Sequence, residues 1–292
     1  MAIWGSNVVA VKFLIDYFPP LPAQTLRIFI GGLTLLLFLL FTRQLRGLNY
    51  REWMFLFAIG MFTVLGHHLF LTLGLIYTTA SKASIILGLL PLATTILSVI
   101  FLGERLTWLR FSGIILGFVG ITFVVFNEDT RLAGAGIGDF YIFLSMFTQA
   151  ISFILIKKVT ETVNSIQTTC YMLLIGVPFL YAASFVMPTE GAHGWGDSSL
   201  GVWLVLIISG VVATGISNVM YNKAMSRIGP SQSSLFTNLV PVFTLIGSAI
   251  ALNEQILLQH VAGLCFVVIG VILGTGYMDE QFRKKRSHRL SS

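Results

Sequence analysis

The feature that most constrains the fold of this chain is the length of its uncharged apolar segments. The run Leu200–Met220 carries no ionisable side chain, and neither does Phe236–Leu252. As a helix the first run would rise about 30 Å, which is the thickness of the hydrocarbon core of a bilayer. Backbone amides inside lipid must be satisfied within their own segment, so these runs predict transmembrane helices.

The charge content excludes a large soluble protein. Charged residues make up 10% of the 292 residues, whereas a water-soluble domain carries roughly 25%. The net charge of +6 does not indicate a nucleic-acid partner, because five of the 18 basic residues lie together in 283–289 and the others are scattered between apolar runs. The expected partner of such a chain is therefore the lipid bilayer and not a nucleic acid, and the chain itself is expected to be a monomer or a weak homodimer.

Polar breaks divide the chain into ten candidate helices. They lie near residues 2–17, 22–42, 52–76, 81–102, 108–126, 138–157, 165–187, 200–222, 231–252 and 257–277. The predicted fold class is an all-α membrane protein. The predicted organisation is a five-helix repeat over 1–127, a linker over 128–137, a second five-helix repeat over 138–278 and a basic cytoplasmic tail over 279–292.

Basic residues predict the orientation. If the N-terminus is cytoplasmic, 14 of the 18 lysines and arginines fall in inner loops and the tail, and two, Lys82 and Arg131, fall at the outer side. Such a bias fixes a positive-inside topology. We therefore expect a multi-pass protein of the inner (cytoplasmic) membrane with both termini in the cytoplasm.

An internal repeat explains the even number of predicted spans. Shifting the sequence by 150 residues aligns 53–120 with 203–270 without a gap, and 15 of the 68 aligned positions are identical. The identities include Trp53/Trp203, Gly60/Gly210, Ser81/Ser231, Ser84/Ser234, Pro91/Pro241, Glu104/Glu254, Gly113/Gly263 and Gly120/Gly270. Equivalent residues are five spans apart, so the two copies would cross the membrane in opposite senses, which is a common plan of secondary transporters.

Several of these positions also form a known family pattern. In the first copy the pattern comprises Trp4-Gly5-Ser6-Asn7, Lys12, Leu26-Arg27, the series Thr79 to Ser84, Leu90-Pro91, Leu102 to Arg105, Gly113 and Gly120. In the second copy it comprises Ser231 to Ser234, Val240-Pro241, Asn253-Glu254, Gly263 and Gly270. With these residues the chain resembles the EamA-type members of the drug/metabolite transporter superfamily. The resemblance covers nearly the whole chain. It implies ten helices, a central cavity and transport of small solutes, often amino-acid or metabolite export.

Two histidines are the first candidates for substrate contact, because a polar side chain inside a span is costly unless it is paired or faces water. His67 and His68 lie slightly to one side of the middle of the third span, and their repeat partners Ser217 and Asn218 lie slightly to the other side. This symmetry is what a cavity between repeats requires. Neighbouring helical residues point about 100° apart, so only one histidine can face the cavity squarely, and the alternative for either is a hydrogen bond to a neighbouring helix. No second ligand has the spacing of a metal site.

Further polar residues recur at helical spacing. Thr214, Ser217, Asn218 and Tyr221 follow i, i+3, i+4, i+7 and predict a polar stripe on the eighth span, with interhelical hydrogen bonding as the alternative. Pairs sharing a helix face complete the predicted substrate-binding set: Trp4 with Asn7, Gln149 with Ser152, and Ser234 with Asn238.

Two basic residues and two prolines have other expected roles. Lys12 and Arg27 lie about five residues from the outer ends of their helices, a depth from which long side chains can snorkel to the interface; recognition of a substrate carboxylate is the alternative. Pro91 and Pro241 lie at equivalent mid-helix positions, where proline removes an amide donor and disturbs the helix. They predict a kink or hinge.

The function predicted from these features is secondary transport of small polar metabolites by alternating access, with amino-acid export favoured by the family resemblance. No phosphate-binding loop is present, no cofactor is expected, and no acidic residue lies deep in a predicted span. Transport would then follow the solute gradient, an exchanged solute, or a proton handled at histidine. The alternatives are organic-cation or drug transport through an aromatic-lined cavity and, remotely, an intramembrane enzyme; we expect no enzymatic activity.

Overall fold

The structure, a computed structural model, describes residues 1–103, 107–126, 135–187, 195–196 and 198–274, and all regular elements in these ranges are helical. The first half contains α1 Ala2–Ile15, α2 Pro20–Phe41, α3 Tyr50–Gly60, a π-helix Met61–His68, α4 Leu69–Tyr77, α5 Ala80–Leu87, α6 Leu90–Leu102 and α7 Trp108–Phe126. The second contains α8 Ala135–Val159, α9 Ser165–Val186, α10 Leu200–Ile208, a π-helix Ser209–Ile216, α11 Ser217–Ile228, α12 Pro230–Leu235, a 3₁₀ turn Phe236–Asn238, α13 Leu239–Ala251 and α14 Leu258–Gly274.

Six helical segments in the described ranges are long and apolar enough to cross a membrane: Pro20–Phe41, Tyr50–Tyr77, Ala80–Phe101, Gly136–Val159, Ser165–Val186 and Leu200–Ile228. Four shorter apolar helices accompany them, namely Ala2–Ile15, Phe111–Gly120, Phe236–Ala251 and Leu258–Leu273. The all-α membrane fold is thus confirmed, whereas the count of ten spans stays a prediction. Large apolar side chains such as Leu200 and Ile250 are more than 70% exposed, as a lipid-facing surface requires.

Two of the long segments contain a π-helical stretch near their middle. In the first half it covers Met61–His68 and in the second Ser209–Ile216, nearly the same position of the 150-residue repeat. π-Helical turns inside α-helices are rare and occur frequently at functional sites. These stretches carry His67, His68 and Thr214, three of the residues that the sequence singles out.

The prolines of the repeat follow a helix break in both halves. In the first half α5 ends at Leu87 and α6 begins at Leu90, immediately before Pro91. In the second, a 3₁₀ turn precedes α13, in which Pro241 is the third residue. The mid-helix position expected for the two prolines is therefore corrected: each lies near the start of a helical segment, where proline loses no helical hydrogen bond. A hinge motion at these positions stays a prediction.

Glycines let helices of the two halves approach closely, and they do so reciprocally. A Cβ on Gly31 of α2 would lie 2.7 Å from the oxygen of Gly210, and a Cβ on Gly176 of α9 would lie 2.8 Å from the oxygen of Gly60. Gly60 and Gly210 are equivalent in the repeat, so the second helix of each half packs against the third helix of the other half in the same way.

The last helices of the two halves show the same reciprocity. A Cβ on Gly120 of α7 would lie 3.0 Å from the oxygen of Gly263, and a Cβ on Gly270 of α14 would lie 2.7 Å from the oxygen of Gly113. Gly120 and Gly270 are equivalent in the repeat, and so are Gly263 and Gly113, so each of these two contacts is the counterpart of the other. Reciprocal contacts, in which residue i touches j' and residue i' touches j, are the kind that two copies related by a two-fold axis make.

Candidate substrate site

A central cavity lies between the two halves. Its volume of about 100 Å³ is several times the roughly 10–15 Å³ that a single water molecule requires, so it has room for several waters or a small solute. Its walls come from α1, the first π-helix, α4, α5 and α6 on one side, and from α8, the second π-helix, α11, the 3₁₀ turn and α13 on the other.

Seven of the twelve residues predicted for substrate binding line this cavity: Trp4, Asn7, His67, His68, Gln149, Thr214 and Asn218. Both histidines reach it, although we expected only one to face it squarely, and their ring centroids lie 4.8 Å apart. The side chain of Asn218 donates a hydrogen bond to the main-chain oxygen of Thr214 (2.8 Å). The side-chain oxygen Oε1 of Gln149 is buried and has no hydrogen-bond partner among the described residues. It could therefore accept a hydrogen bond from a solute.

The other five predicted residues, Ser152, Ser217, Tyr221, Ser234 and Asn238, do not line the central cavity. The hydroxyls of Ser152 and Ser234 donate to main-chain oxygens of their own helices. Ser217 and Tyr221 line a second cavity near the start of α1 and the end of α11. The polar stripe of the eighth span is thus divided between two cavities, and direct substrate contact by these five residues stays a prediction.

Trp4 separates the two cavities, since it lines both. Its indole nitrogen donates to the main-chain oxygen of Ala213 (3.2 Å), and its ring lies 4.8 Å from that of Tyr221. The ring of Tyr221 in turn lies 5.1 Å from that of Phe153, another wall residue. Three aromatic side chains therefore form a partition between the central cavity and the second one.

Sequence reasoning missed three polar side chains of the wall, Thr63, Ser84 and Thr237. Ser84 was visible as an identity of the repeat, and its position in the short helix α5 directs it inwards. Thr63 lies in the first π-helix and Thr237 in the 3₁₀ turn. Because these turns depart from the α-helical period, a pattern of 3.6 residues cannot place them.

The position predicted for the Arg27 side chain is wrong. We expected its side chain to snorkel to the membrane interface, but only 1% of the residue is exposed and the guanidinium points into the protein. Its Nη1 shares its two hydrogens among three acceptors, Asn7 Oδ1 (3.1 Å), Ser209 Oγ (3.1 Å) and Thr214 Oγ1 (2.9 Å). Seven residues into α2, the chain is packed against the second π-helix, so no path to the interface exists.

Two consecutive hydrogen bonds connect Arg27 to His68, one of the two histidines of the cavity wall. Arg27 Nε donates to Gln24 Oε1 (3.2 Å), and the Gln24 amide nitrogen lies 3.0 Å from His68 Nδ1. An amide nitrogen can only donate, so His68 Nδ1 is the acceptor and a neutral His68 carries its proton on Nε2. Gln24 was not identified from the sequence, because it lies near the start of a helix and belongs to none of the polar pairs at helical spacing.

Lys12 and Lys82 do not approach the cavity wall. Lys12 Nζ donates to the main-chain oxygen of Leu75 (2.5 Å), at the end of α4. Lys82, which we placed at an outer helix end, lies in the first turn of α5 but is only 3% exposed, and its Nζ is 3.0 Å from Asp139 Oδ2. This ion pair connects α5 with the first helix of the second half.

A family model matches both halves of this fold. The model described as the EamA-like transporter family matches residues 1–126 and 136–275. This chain belongs to the EamA-like transporter family. The resemblance inferred from the motifs is therefore confirmed, and the protein is a membrane transporter whose partners are the bilayer and a small molecule.

Relatives of this EamA-family chain are named as transporters. It is 27% identical to the "Uncharacterized transporter YyaM" of Bacillus subtilis over 93% of this chain and 90% of the relative, and 27% identical to an uncharacterized transporter of Archaeoglobus fulgidus over 94% and 95%. A solved structure titled "Crystal structure of protein" has the same fold, with a TM-score of 0.67, 16% identity and coverage of 94% of this chain and 96% of that one.

Proposed function

We propose that this EamA-family protein is a secondary transporter that moves small polar metabolites by alternating access, with amino-acid export as the favoured activity. The observation that carries the proposal is the central cavity, whose wall combines polar side chains from both halves. Transporters of this type bind substrate near the bilayer midplane at the interface of two repeats.

We assign the closure of the two ends of the cavity to two sets of contacts of different kinds. At one end, Glu254 of the second half accepts hydrogen bonds from the main-chain nitrogens of Ala80 (2.8 Å) and Ser81 (2.9 Å) of the first half. At the other end lies the aromatic partition of Trp4, Tyr221 and Phe153. Alternating access requires two closures that open at different times, and separate sets of contacts allow this.

The reciprocal glycine contacts support an inverted relation between the halves. If the repeats cross the membrane in opposite senses, each contact between the halves has a counterpart, as Gly31–Gly210 and Gly60–Gly176 do. In this arrangement both termini lie on one side, which the basic residues assign to the cytoplasm, and the cell inner membrane is the expected location. The breaks before Pro91 and Pro241 are then the proposed hinges.

The remote alternative of an intramembrane enzyme gains little from the geometry. Ser145 Oγ lies 2.7 Å from His67 Nδ1, which brings a hydroxyl beside a histidine. However, Ser145 is fully buried, is absent from the cavity wall and also lies 2.9 Å from the main-chain oxygen of His67. A nucleophile must face its substrate, so the pair is better explained as a contact between α8 and the first π-helix.

The test is solute flux through purified protein in proteoliposomes, with radiolabelled amino acids and a panel of other small metabolites. We expect flux of at least one polar metabolite, and we expect Asn218→Ala to reduce it because the amide faces the cavity. Asn164→Ala is the control, since Asn164 caps α9 away from the cavity wall. Absence of flux for every panel member, or equal loss in both variants, would contradict the proposal.

A further inference from the structure

Arg27 is a buried cation whose hydrogen-bond partners are all neutral. The four side chains that accept its hydrogen bonds are Asn7, Gln24, Ser209 and Thr214. The ion pairs recorded within the described residues are Arg46–Glu52 and Lys82–Asp139, and neither includes Arg27. An arginine does not lose its proton in a protein, and an uncompensated charge away from water is costly.

Within the part of the chain that the structure describes, one nitrogen of this guanidinium has no hydrogen-bond partner. Arg27 Nη2 is buried and makes no hydrogen bond, although each N–H of a buried side chain is normally satisfied. A negatively charged acceptor would match both the positive charge and the unpartnered donor at this place.

The guanidinium lies directly behind the cavity wall. Asn7 and Thr214, which accept hydrogen bonds from Nη1, both line the cavity, and Gln24 connects Nε to His68, a third wall residue. A solute in the cavity is therefore one side chain away from the positive charge. A rotation of Asn7 or Thr214 would open the guanidinium to it.

We infer that the central cavity is an anion site in which Arg27 receives the carboxylate of the transported solute. The inference builds on the proposed transport function and narrows its substrate to carboxylates, including zwitterionic amino acids. Arginine forms strong charge-assisted hydrogen bonds with a carboxylate, and Nη2 is the donor of Arg27 that its side-chain neighbours leave unpartnered. The inference also disfavours organic cations, which the same charge would repel.

The positive charge of Arg27 has no counterpart at the equivalent position of the second half. The glycine contacts pair Gly31 with Gly176, so Arg27, four residues before Gly31, corresponds to Met172, four residues before Gly176. A cation that served helix packing would be expected in both halves. Its restriction to one half agrees with recognition of one end of an asymmetric solute.

The experiment measures thermal stabilisation of the detergent-purified protein in a chloride-free HEPES buffer. The probes are acetate, L-alanine, L-alaninamide (which lacks the carboxylate) and chloride. We expect acetate and L-alanine to raise the melting temperature and L-alaninamide to have no effect. In Arg27→Gln the half-maximal concentration of each carboxylate should rise about ten- to hundredfold, the amount expected for one hydrogen bond to a charged group.

Two further variants control for misfolding and for general charge effects. Asn7→Asp places a carboxylate beside Nη1, so it should fold and yet lose stabilisation by acetate. Lys12→Gln removes another intramembrane cation, and its response should match the wild type. Equal stabilisation by L-alanine and L-alaninamide, or unchanged carboxylate response in both Arg27→Gln and Asn7→Asp, would overturn the inference.

The chloride arm and the flux assay separate the possible sources of failure. Stabilisation by chloride alone, without carboxylates, would show an inorganic-anion site and overturn the assignment to solute carboxylate. Carboxylate binding that depends on Arg27 without flux in proteoliposomes would support the site while contradicting transport. Flux of a cationic metabolite that is unaffected by Arg27→Gln would support transport while contradicting the site.

Discussion

Replacing Glu254 by glutamine tests how the two halves are joined at one end of the cavity. The Glu254 carboxylate accepts hydrogen bonds from the main-chain nitrogens of Ala80 and Ser81 and from Ser81 Oγ (2.5 Å). The first N–H groups of a helix have no partner within the helix, and α5 obtains two of its partners from the other half of the chain. The Thr79 side chain accepts a third, from Lys82 N (3.2 Å).

The expected cost follows from these contacts. Glutamine keeps one acceptor oxygen but turns an NH₂ group towards a main-chain N–H, so at least one hydrogen bond to a charged acceptor is lost, which costs about 1.5–3 kcal/mol. The favourable interaction of a negative charge with a helix N-terminus, about 0.3–1 kcal/mol, is lost as well. Together these contributions give about 2–4 kcal/mol.

The assay is the apparent melting temperature of the detergent-purified protein at a fixed scan rate. At about 2 °C per kcal/mol, Glu254→Gln should melt at least about 4 °C below the wild type. The exposed Glu161 provides the control, because Glu161→Gln should change stability by less than about 0.5 kcal/mol. The double variant Ser81→Ala/Glu254→Gln should lose less stability than the sum of the two single variants, because both changes affect the same hydrogen bond, from Ser81 Oγ to the Glu254 carboxylate.

A wild-type melting temperature for Glu254→Gln would refute this reasoning, and so would strictly additive effects with Ser81→Ala. The first result would mean that water replaces the carboxylate at the start of α5 without loss. The second would mean that Glu254 stabilises the chain through residues other than Ser81. In either case the contact could not act as the closure of the cavity at this end.

Two predictions concern topology and coupling. In a background without native cysteines, a cysteine at position 199 should react with an impermeant reagent from outside the cell and one at position 287 should not; the reverse pattern would exclude the proposed orientation. The hydrogen-bond partners of His67 and His68 in the described structure, Ser145 and Gln24, are neutral, so no negative charge among them favours a protonated histidine. We therefore expect an imposed pH gradient to drive little accumulation of substrate in proteoliposomes. Strong accumulation that survives His67→Gln and His68→Gln would show that the coupling group lies elsewhere.

Much of the candidate site could be predicted from the sequence because few polar residues lie inside apolar spans. Asn7, Thr214 and Asn218 were identified on that basis together with helical spacing and repeat equivalence, and all three line the cavity. Ser152 and Ser234 satisfied the same criterion but hydrogen-bond within their own helices. A serine in a span has both options, and only the position of its neighbours decides between them.

The position of the Arg27 side chain could not be predicted from its depth in the span, for a physical reason. Its depth in the span permits either a side chain that reaches the interface or one that is buried, because the long arginine side chain spans the difference. The close approach of α2 to the second π-helix at Gly31 and Gly210 decides for burial. That approach depends on two glycines far apart in sequence, which no local pattern connects.

By itself the sequence determined the membrane class, the repeat and the family, because each depends on composition or on residues at fixed separations along the chain. The glutamate that reaches α5 from the other half, the aromatic partition at Trp4 and the guanidinium behind the cavity wall were decided by tertiary structure alone. They are contacts between helices distant in sequence. Helix packing determines which residues meet in these contacts, and the periodicity of the sequence does not specify how the helices pack.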